Sequence, residues 1–256
     1  MDDVFTYGQA KNRLADRGLS LLWYDTVDST NSEAKRLATA ISLPAVLVAD
    51  TQSAGRGRMG RSFFSPEKTG LYFSYVTDRI TSEETVGLTA AAAVASARAI
   101  ARVTGIETEI KWVNDLLLGG KKIAGILCER FAVEGRAVTV VGIGINLSTA
   151  EGDFPEELQK KAGSLGMADD VRPRLTVALA EELHARLCAL PDRAFMEEYR
   201  TRSAVLGRRV RYTENGVTYE GEAVAMDDEG GLWVETDGQM RRLGSGEISL
   251  LYDAWR

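Results

Sequence analysis

The chain has 256 residues, of which 45% are hydrophobic and 27% charged, and its formal net charge is −6. The composition is ordinary for a globular protein. The negative net charge argues against nucleic-acid binding as its main role, because binding to phosphates needs a positively charged surface. The length predicts one large domain, or one large domain and one small one.

The first half of the chain alternates predicted helices and strands. A short helix over residues 7–18 precedes the strand LLWYDTV, and the next helix begins within DSTNSEAKRLATAI. There, Thr30 and Glu33 have the spacing of a capping box. The apolar segments AVLVAD and GLYFSYVTD predict two buried strands, and an alanine-rich helix is predicted over residues 83–104.

The second half begins with successive strands over residues 108–148, with tight turns predicted at Gly119-Gly120 and in VEGR. Residues 174–203 follow a helical period, with leucines along one face. From Val205 onward, apolar and polar residues alternate, and Asn215-Gly216 and Asp237-Gly238 signal hairpins. The tail therefore predicts a small antiparallel barrel.

These elements predict an α+β fold with two domains, residues 1–204 and residues 205–256. The acidic N-terminus MDDVFTYGQAK lacks the apolar core of a signal peptide. The longest apolar stretch, residues 86–101, is interrupted by Arg98 and is too short to span a bilayer. We therefore predict a cytoplasmic protein with no membrane partner.

Cysteine and histidine chemistry is sparse. Cys128 and Cys188 lie in apolar contexts and are predicted to be buried free thiols, without a disulfide framework. The chain has one histidine, His184, which sits among charged residues and is predicted to be solvated. This leaves no zinc-site pattern and disfavours a Ser–His–Asp triad.

The most informative segment is GRGRMGR, residues 55–61, which we call the glycine-arginine loop. Glycines permit turns with positive φ and present backbone N–H groups, while arginines add fixed charge and forked donors. Predicted strands flank the loop on both sides, so it belongs to a folded domain and not to a disordered basic tail. The loop therefore predicts an anion-binding site.

Four further segments carry polar groups: Ser29-Thr30-Asn31, Lys111–Asp115, Lys122–Gly125 and Gly142–Asn146. Each has a simple structural explanation, such as helix capping by the first segment or charged turn residues in the third. The segment GIGIN lacks the third glycine of a dinucleotide fingerprint and opens no obvious helix. Together with Gln52 and the glycine-arginine loop, however, the segments predict a site for an anionic ligand plus phosphates.

The order DSTN, TQSAGRGRMGR, KWVND, KKIAGIL and GIGINL, within residues 20–150, resembles the biotin protein ligases. The resemblance implies a mixed-sheet catalytic domain of the biotin/lipoate-ligase type, followed by an SH3-like barrel. It also implies that biotin and Mg-ATP give biotinyl-5′-AMP and pyrophosphate. A lysine of a biotin carboxyl carrier protein then takes the biotinyl group.

The resemblance further implies ATP and biotin as substrates, Mg²⁺ as cofactor, and the carrier protein or domain of a carboxylase as partner. About 28 residues precede DSTN, which implies a monofunctional ligase without an N-terminal DNA-binding domain and without a DNA partner. Homodimer formation stays open.

The resemblance also assigns roles to residues. The implied catalytic residues are Lys122, Arg58 and Asp115. The implied biotin-binding residues are Ser29, Thr30, Asn31, Gln52, Gly55, Arg56, Gly57, Arg58, Lys122 and Gly125. The implied nucleotide-binding residues are Arg58, Arg61, Phe63, Lys111, Asn114, Asp115, Lys122 and Asn146. Asp115 could hold Mg²⁺ or orient the incoming lysine, and the metal ligands are not fixed.

Two departures from the family pattern leave the chemistry intact. Val113 stands where the family often has proline, and Phe63 stands where it often has tryptophan. The alternatives are a lipoate or octanoate ligase or transferase, and a non-catalytic ligand-binding regulatory module. The glycine-arginine loop with Gln52 and KWVND favours biotin, and the retained lysines argue against a pure binder.

Overall fold

Two sheets organise the part of the chain that this computed structural model describes, residues 5–81 and 87–251. The first sheet contains β1 (Ser20–Val27), β2 (Ala45–Gln52), β3 (Gly70–Thr77), β4 (Glu109–Lys111), β5 (Asp115–Leu118), β6 (Lys121–Val133) and β7 (Arg136–Asn146). The second contains β8 (Arg209–Glu214), β9 (Val217–Met226), β10 (Leu232–Thr236), β11 (Gln239–Leu243) and β12 (Ile248–Leu250). The predicted α+β fold is confirmed.

The described helices are α1 (Tyr7–Ala15), α2 (Thr30–Leu37), α3 (Leu88–Thr104), α4 (Glu156–Gln159), α5 (Arg172–Cys188) and α6 (Phe195–Thr201). None of these is both long and apolar enough to cross a membrane. The predicted start of α3 at residue 83 lies outside the described residues.

The first sheet has the order β1-β2-β3-β7-β6-β5-β4. Strands β1 and β2 are parallel, joined through α2, and the remaining neighbours are antiparallel. Helices α3 and α5 pack on one face, and α2 packs on the other. Because β3 is covered on both faces, all eight of its residues are buried, which explains its nearly continuous apolar sequence.

The second sheet is antiparallel throughout, with the order β11-β10-β9-β8-β12. The turn residues Asn215 and Gly216 have φ of 50° and 80°, the left-handed geometry that a tight hairpin needs. Asp237-Gly238 and Gly119-Gly120 adopt the same geometry, so these predicted hairpins are confirmed.

The predicted single helix over residues 174–203 is wrong. Helix α5 ends at Cys188, a 3₁₀ turn covers Leu190–Asp192, and α6 begins at Phe195. Pro191 supplies no backbone N–H and disfavours helical geometry in the residue before it, so the helix stops. Buried apolar residues continue past this break, at Phe195, Met196 and Tyr199, because both helices bury one side against the same core.

The predictions for Cys188 and His184 are also wrong. Cys188 is exposed at the end of α5, while Cys128 is partly buried on β6, where burial raises the pKa of its thiol to about 11. His184 is half-buried, and its Nδ1 lies 2.7 Å from the Tyr75 hydroxyl. Burial raises the pKa of Tyr75, so its hydroxyl stays protonated beside the imidazole.

His184 should make folding sensitive to mild acid. Burial lowers its pKa in the folded protein, with Arg79 adding to the effect, whereas the unfolded chain has a pKa near 6.5. The stabilisation is present above pH 6.5 and is lost as the pH falls through the lowered folded pKa. We expect His184→Gln to lose less unfolding free energy than the parent between pH 7 and pH 5, measured by urea titration. Equal losses in both proteins would contradict this assignment.

Candidate active site

A cavity lies between the first sheet, the glycine-arginine loop and one loop of the second sheet. It encloses about 910 Å³ of empty space when the open solvent at its mouth is included. Of the predicted residues, its wall includes Ser29, Thr30, Asn31, Gln52, Arg56, Gly57, Arg58, Arg61, Phe63, Lys111, Asn114, Asp115, Lys122 and Gly125. The fold therefore brings all five separated motifs to one place.

Two predicted residues lie outside this wall. A side chain at Gly55 would come within 2.4 Å of the Phe63 carbonyl oxygen, so this glycine lets the two ends of the loop approach. Asn146 is buried, and its Nδ2 donates to the Gly163 carbonyl at 2.8 Å. In this structure, both residues shape the surroundings of the cavity and do not face it.

The polar end of the cavity is built at the start of α2. Ser29 precedes the helix but makes no capping hydrogen bond through its side chain to a described residue. The Thr30 backbone N–H and hydroxyl instead donate to Gln52 Oε1, at 2.9 and 3.2 Å. The predicted capping box is therefore wrong, because Thr30 is turned toward Gln52 and Glu33 pairs with Arg36.

A buried serine on β3 extends this network. The Ser74 hydroxyl lies 2.8 Å from Thr30 Oγ1 and 2.6 Å from Asn31 Oδ1. Ser74 is fully buried in an otherwise apolar strand, and this isolated polar position was the sequence signal that could have revealed it. The network holds hydroxyl, amide and carbonyl groups in fixed positions along the wall.

The glycines of GIGIN make room for side chains from other segments. A Cβ atom at Gly142 would lie 2.2 Å from Asn31 Oδ1, and one at Gly144 would lie 2.3 Å from the Phe63 ring. Both glycines line the cavity on β7. Their role is thus close packing against Asn31 and Phe63. The glycines of a dinucleotide fingerprint have a different role, since they form the turn that leads into a phosphate-binding helix.

The glycine-arginine loop forms a small hairpin. Its backbone is closed by hydrogen bonds from Gly57 N to the Arg61 carbonyl (2.7 Å) and from Phe63 N to the Gly55 carbonyl (2.8 Å). Met59 occupies the tip with φ of 55°, and 77% of its surface is exposed. The hairpin directs its arginines toward three different parts of the molecule.

Each arginine of the loop contacts a different element. Arg56 Nη1 lies 3.2 Å from the Glu129 carboxylate on β6, and Arg58 Nη1 donates to Asn114 Oδ1 at 3.0 Å. The loop is therefore tied to strand β6 of the first sheet and to the KWVND segment.

The third contact crosses to the second sheet. Arg61 forms two contacts with the Glu247 carboxylate, at 2.7 and 2.5 Å. Hydrogen bonding from Arg61 lowers the pKa of Glu247, and Lys111 and Lys122 act in the same direction. Glu247 and Gly246 line the cavity, so the second sheet supplies part of its wall. Sequence reasoning missed this contribution.

Lys122 lies at an irregularity of β6. Leu116 pairs with Ala124 and Leu117 pairs with Lys122, so β6 has one extra residue, Ile123, at this point. In a regular strand Lys122 and Gly125 would face opposite sides, whereas here both line the cavity. The bulge therefore aims the Lys122 ammonium into the site.

The Lys122 ammonium faces a carboxylate across the cavity wall. Its Nζ lies 2.7 Å from Asp115 Oδ1. Asp115 Oδ1 is buried, and the Lys122 ammonium holds it in an ion pair. Asp115 thus places a carboxylate beside the Lys122 cation at the cavity wall.

Buried anchors hold the KWVND segment from behind. The Trp112 indole donates to the Gly230 carbonyl of the second sheet at 2.8 Å, and the Tyr199 hydroxyl donates to the Val113 carbonyl at 3.1 Å. Asn114 Nδ2 donates to the Ile126 carbonyl at 3.0 Å. The second sheet therefore contacts this segment at its back while Glu247 contacts the loop at the mouth.

Comparisons with known proteins agree with this architecture. Residues 23–146 match the Biotin/lipoate A/B protein ligase family, and residues 205–251 match the Biotin protein ligase C terminal domain. The chain is 36% identical over 248 residues to the Bifunctional ligase/repressor BirA of Bacillus subtilis, covering 91% of this chain and 74% of that protein. It is 34% identical to the biotin–acetyl-CoA-carboxylase ligase of Mycobacterium tuberculosis, covering 79% and 77%.

A solved structure has a similar fold over most of the chain. The Biotin protein ligase from Aquifex aeolicus in complex with biotin and ATP has a TM-score of 0.76 and 29% identity, covering 91% of this chain and 99% of that one. The chain belongs to the biotin/lipoate A/B protein ligase family. Its C-terminal match and its relatives lie with the biotin protein ligases, which confirms the resemblance inferred from the motifs.

Proposed function

We propose that the protein activates biotin with ATP and transfers it to a lysine of the biotin carrier protein of a carboxylase. One observation carries this proposal: a neutral polar wall, the cationic glycine-arginine loop and Lys122 converge in a single cavity. A carboxylic acid with a polar ring and a nucleotide would need both kinds of surface. The names of the relatives supply the identity of the acid and of the acceptor.

In the first step, a biotin carboxylate oxygen forms a bond to the α-phosphorus of ATP. The bond from that phosphorus to the bridging oxygen breaks, and pyrophosphate leaves with the electron pair. The carboxylate and the triphosphate repel each other, so preorganised cations must offset the charge that develops. Lys122, Arg56 and Arg58 line the cavity and would supply that charge.

In the second step, a neutral lysine amine of the carrier attacks the acyl carbon of biotinyl-5′-AMP. The bond from the acyl carbon to the phosphate oxygen breaks, AMP leaves, and the new amide nitrogen loses a proton. Asp115 lines the cavity beside Lys122, and its carboxylate would orient the entering amine.

Recognition of biotin would rest on the polar wall. The ureido ring presents one carbonyl acceptor and two N–H donors, and hydroxyl and amide groups can satisfy both types. Ser29, Thr30 and Gln52 provide such groups, and Ser74 holds Thr30 in place. An acid without this ring would leave buried polar groups unpaired, which penalises its binding.

Mg²⁺ fits the residues present. Magnesium is usually held by one or two carboxylates together with substrate phosphates, not by a full protein cage. Asp115 supplies a carboxylate that lines the cavity and would hold the ion. When bound with ATP, the ion neutralises phosphate charge.

The domain boundary, the cellular location and the absence of a DNA partner are also proposals. We propose the domain boundary at residues 204/205 because the five strands of the second sheet follow it. We propose a cytoplasmic location, and the negative net charge supports the proposal that there is no DNA partner. Salt-sensitive binding to a specific operator would contradict it, and sedimentation would decide whether a homodimer forms.

The direct test is Mg²⁺-dependent exchange between ATP and pyrophosphate with biotin, lipoate, octanoate or no acid. We expect exchange with biotin only. Exchange with lipoate or octanoate would instead indicate a ligase for those acids, and biotin binding without exchange would indicate a non-catalytic module. Transfer is tested next on a purified carrier domain, with its acceptor lysine changed to arginine as the control.

A further inference from the structure

Glu129 on β6 joins two parts of the cavity wall but belongs to none of the sequence motifs assigned above. Its carboxylate accepts hydrogen bonds from Lys35 Nζ at 2.7 Å and Asn31 Nδ2 at 2.9 Å. Arg56 Nη1 reaches it at 3.2 Å. One side chain, 16% exposed, thus contacts helix α2 at two positions and the glycine-arginine loop at a third.

The charge of this cluster keeps Glu129 ionised. Burial alone would raise the pKa of its carboxyl, but hydrogen bonds from Lys35 and Asn31 and the charge of Arg56 give a net lowering. One half-buried carboxylate therefore faces two cations and an amide. Such charge-assisted bonds are shorter and stronger than neutral ones, so they can fix long side chains.

Apart from their contacts with Glu129, Asn31 is fixed by several other hydrogen bonds and Arg56 is more exposed. Asn31 is buried, and its amide also contacts the Leu127 carbonyl and Ser74. The Arg56 side chain is 43% exposed and lies on a hairpin whose backbone is held mainly by its own turn. A long arginine side chain has much rotamer freedom, so the contact to Glu129 selects one orientation from many.

Glu129 does not use up the binding capacity of Arg56. The guanidinium has five N–H donors, and its contacts with Glu129 come from Nη1. The remaining donors stay available for an anion in the cavity that Arg56 lines. Because the guanidinium is planar, holding one edge on β6 also fixes the direction of the rest.

We propose that Glu129 is a positioning residue that sets Arg56 and Asn31 against the cavity before the acid substrate enters. This inference rests on the proposed function, since it names the acid as the ligand that benefits. Glu129 acts through its two neighbours and does not touch the reacting atoms. Its loss should weaken acid binding more than it slows chemistry or weakens ATP binding.

The test compares Glu129→Gln with Glu181→Gln. Glu181 on α5 is a matched control, because its side chain is 13% exposed and also pairs with arginines, Arg13 and Arg102. It does not line the cavity. In the pyrophosphate exchange assay, we expect Glu129→Gln to raise KM for biotin about tenfold, the size of one lost charge-assisted bond. KM for ATP should not change, and the Glu181→Gln variant should match the parent.

A second readout does not depend on activity. Limited trypsin digestion of the ligand-free protein, followed by mass spectrometry, should show faster cleavage after Arg56 in Glu129→Gln than in the parent or in Glu181→Gln. Thermal unfolding of each variant verifies that it is folded. If Glu129 had only a structural role, its replacement would lower the melting temperature. It would not specifically speed cleavage after Arg56 or raise KM for biotin.

The outcomes separate the two ideas. Absence of biotin-dependent exchange in the parent protein would contradict the proposed function. The trypsin digestion would still decide whether Glu129 holds Arg56. An active parent with Glu129→Gln unchanged in biotin KM and in cleavage at Arg56 would overturn the positioning role. A rise in KM for ATP equal to that for biotin would also count against it.

Discussion

Replacing Lys122 with methionine is expected to slow biotin-dependent pyrophosphate exchange by about 10²–10³-fold, the usual cost of removing one preorganised transition-state donor. Methionine keeps much of the side-chain length and loses the ammonium. In the proposed reaction the cation offsets charge that grows as carboxylate and phosphate combine, so kcat should fall more than the affinity for either substrate. Steady-state exchange kinetics with both substrates varied would measure this.

The neighbouring lysine provides the control. Lys121 is exposed to nearly the same degree as Lys122, 37% against 36%, but it pairs with Glu151 and does not line the cavity. Lys121→Met should therefore retain activity close to the parent. If both variants lost activity equally, or if Lys122→Met were fully active, the placement of Lys122 at the reacting centre would be wrong.

Replacing Gly142 with alanine is expected to weaken biotin binding by about 100-fold, because an added Cβ would lie 2.2 Å from Asn31 Oδ1. Oδ1 lies at the end of the Asn31 side chain, but the side chain cannot easily move away. Ser74, Leu127 and Glu129 all contact its amide group. Displacing it would leave several buried polar groups unpaired, each costing about 1–3 kcal/mol. Calorimetric titration with biotin would measure the loss.

Gly152 gives the matched control for this substitution. A methyl group there would meet nothing within 4 Å among the described residues, and Gly152 does not line the cavity. Gly152→Ala should bind biotin as the parent does. Parent-like affinity in Gly142→Ala would show that the Asn31 contact has no part in binding.

The second sheet has a direct role in the geometry of the site. It closes one side of the cavity through Glu247, which pairs with Arg61 of the loop. It also supplies the Gly230 carbonyl that fixes Trp112 beneath the KWVND segment. Because these contacts reach both the loop and the KWVND segment, the five-stranded sheet is part of the cavity's construction and not a separate appendage.

Much of the site could be predicted from the sequence because its chemistry depends on particular residue types within short local motifs. The glycine-arginine loop needs glycines for its turn and arginines for its charge, and the hairpin turns need residues that tolerate positive φ, such as Asn215-Gly216. The break between α5 and α6 at Pro191 was missed because buried apolar residues continue on both sides of it, with Leu187 and Leu190 before it and Phe195 after it. The capping box at Thr30 was misjudged because the competing partner, Gln52, is 22 residues away.

The sequence by itself determined the turn chemistry, the apolar strands, the anion-binding loop and the family resemblance. Each of these is encoded within a few residues by backbone preference or side-chain type. Only the tertiary structure decided that Glu247 lines the cavity, that Ser74 and Glu129 hydrogen-bond to Thr30 and Asn31 of its wall, and that GIGIN serves close packing. These roles depend on distances between residues far apart in the chain, and a periodic pattern carries no information about such distances.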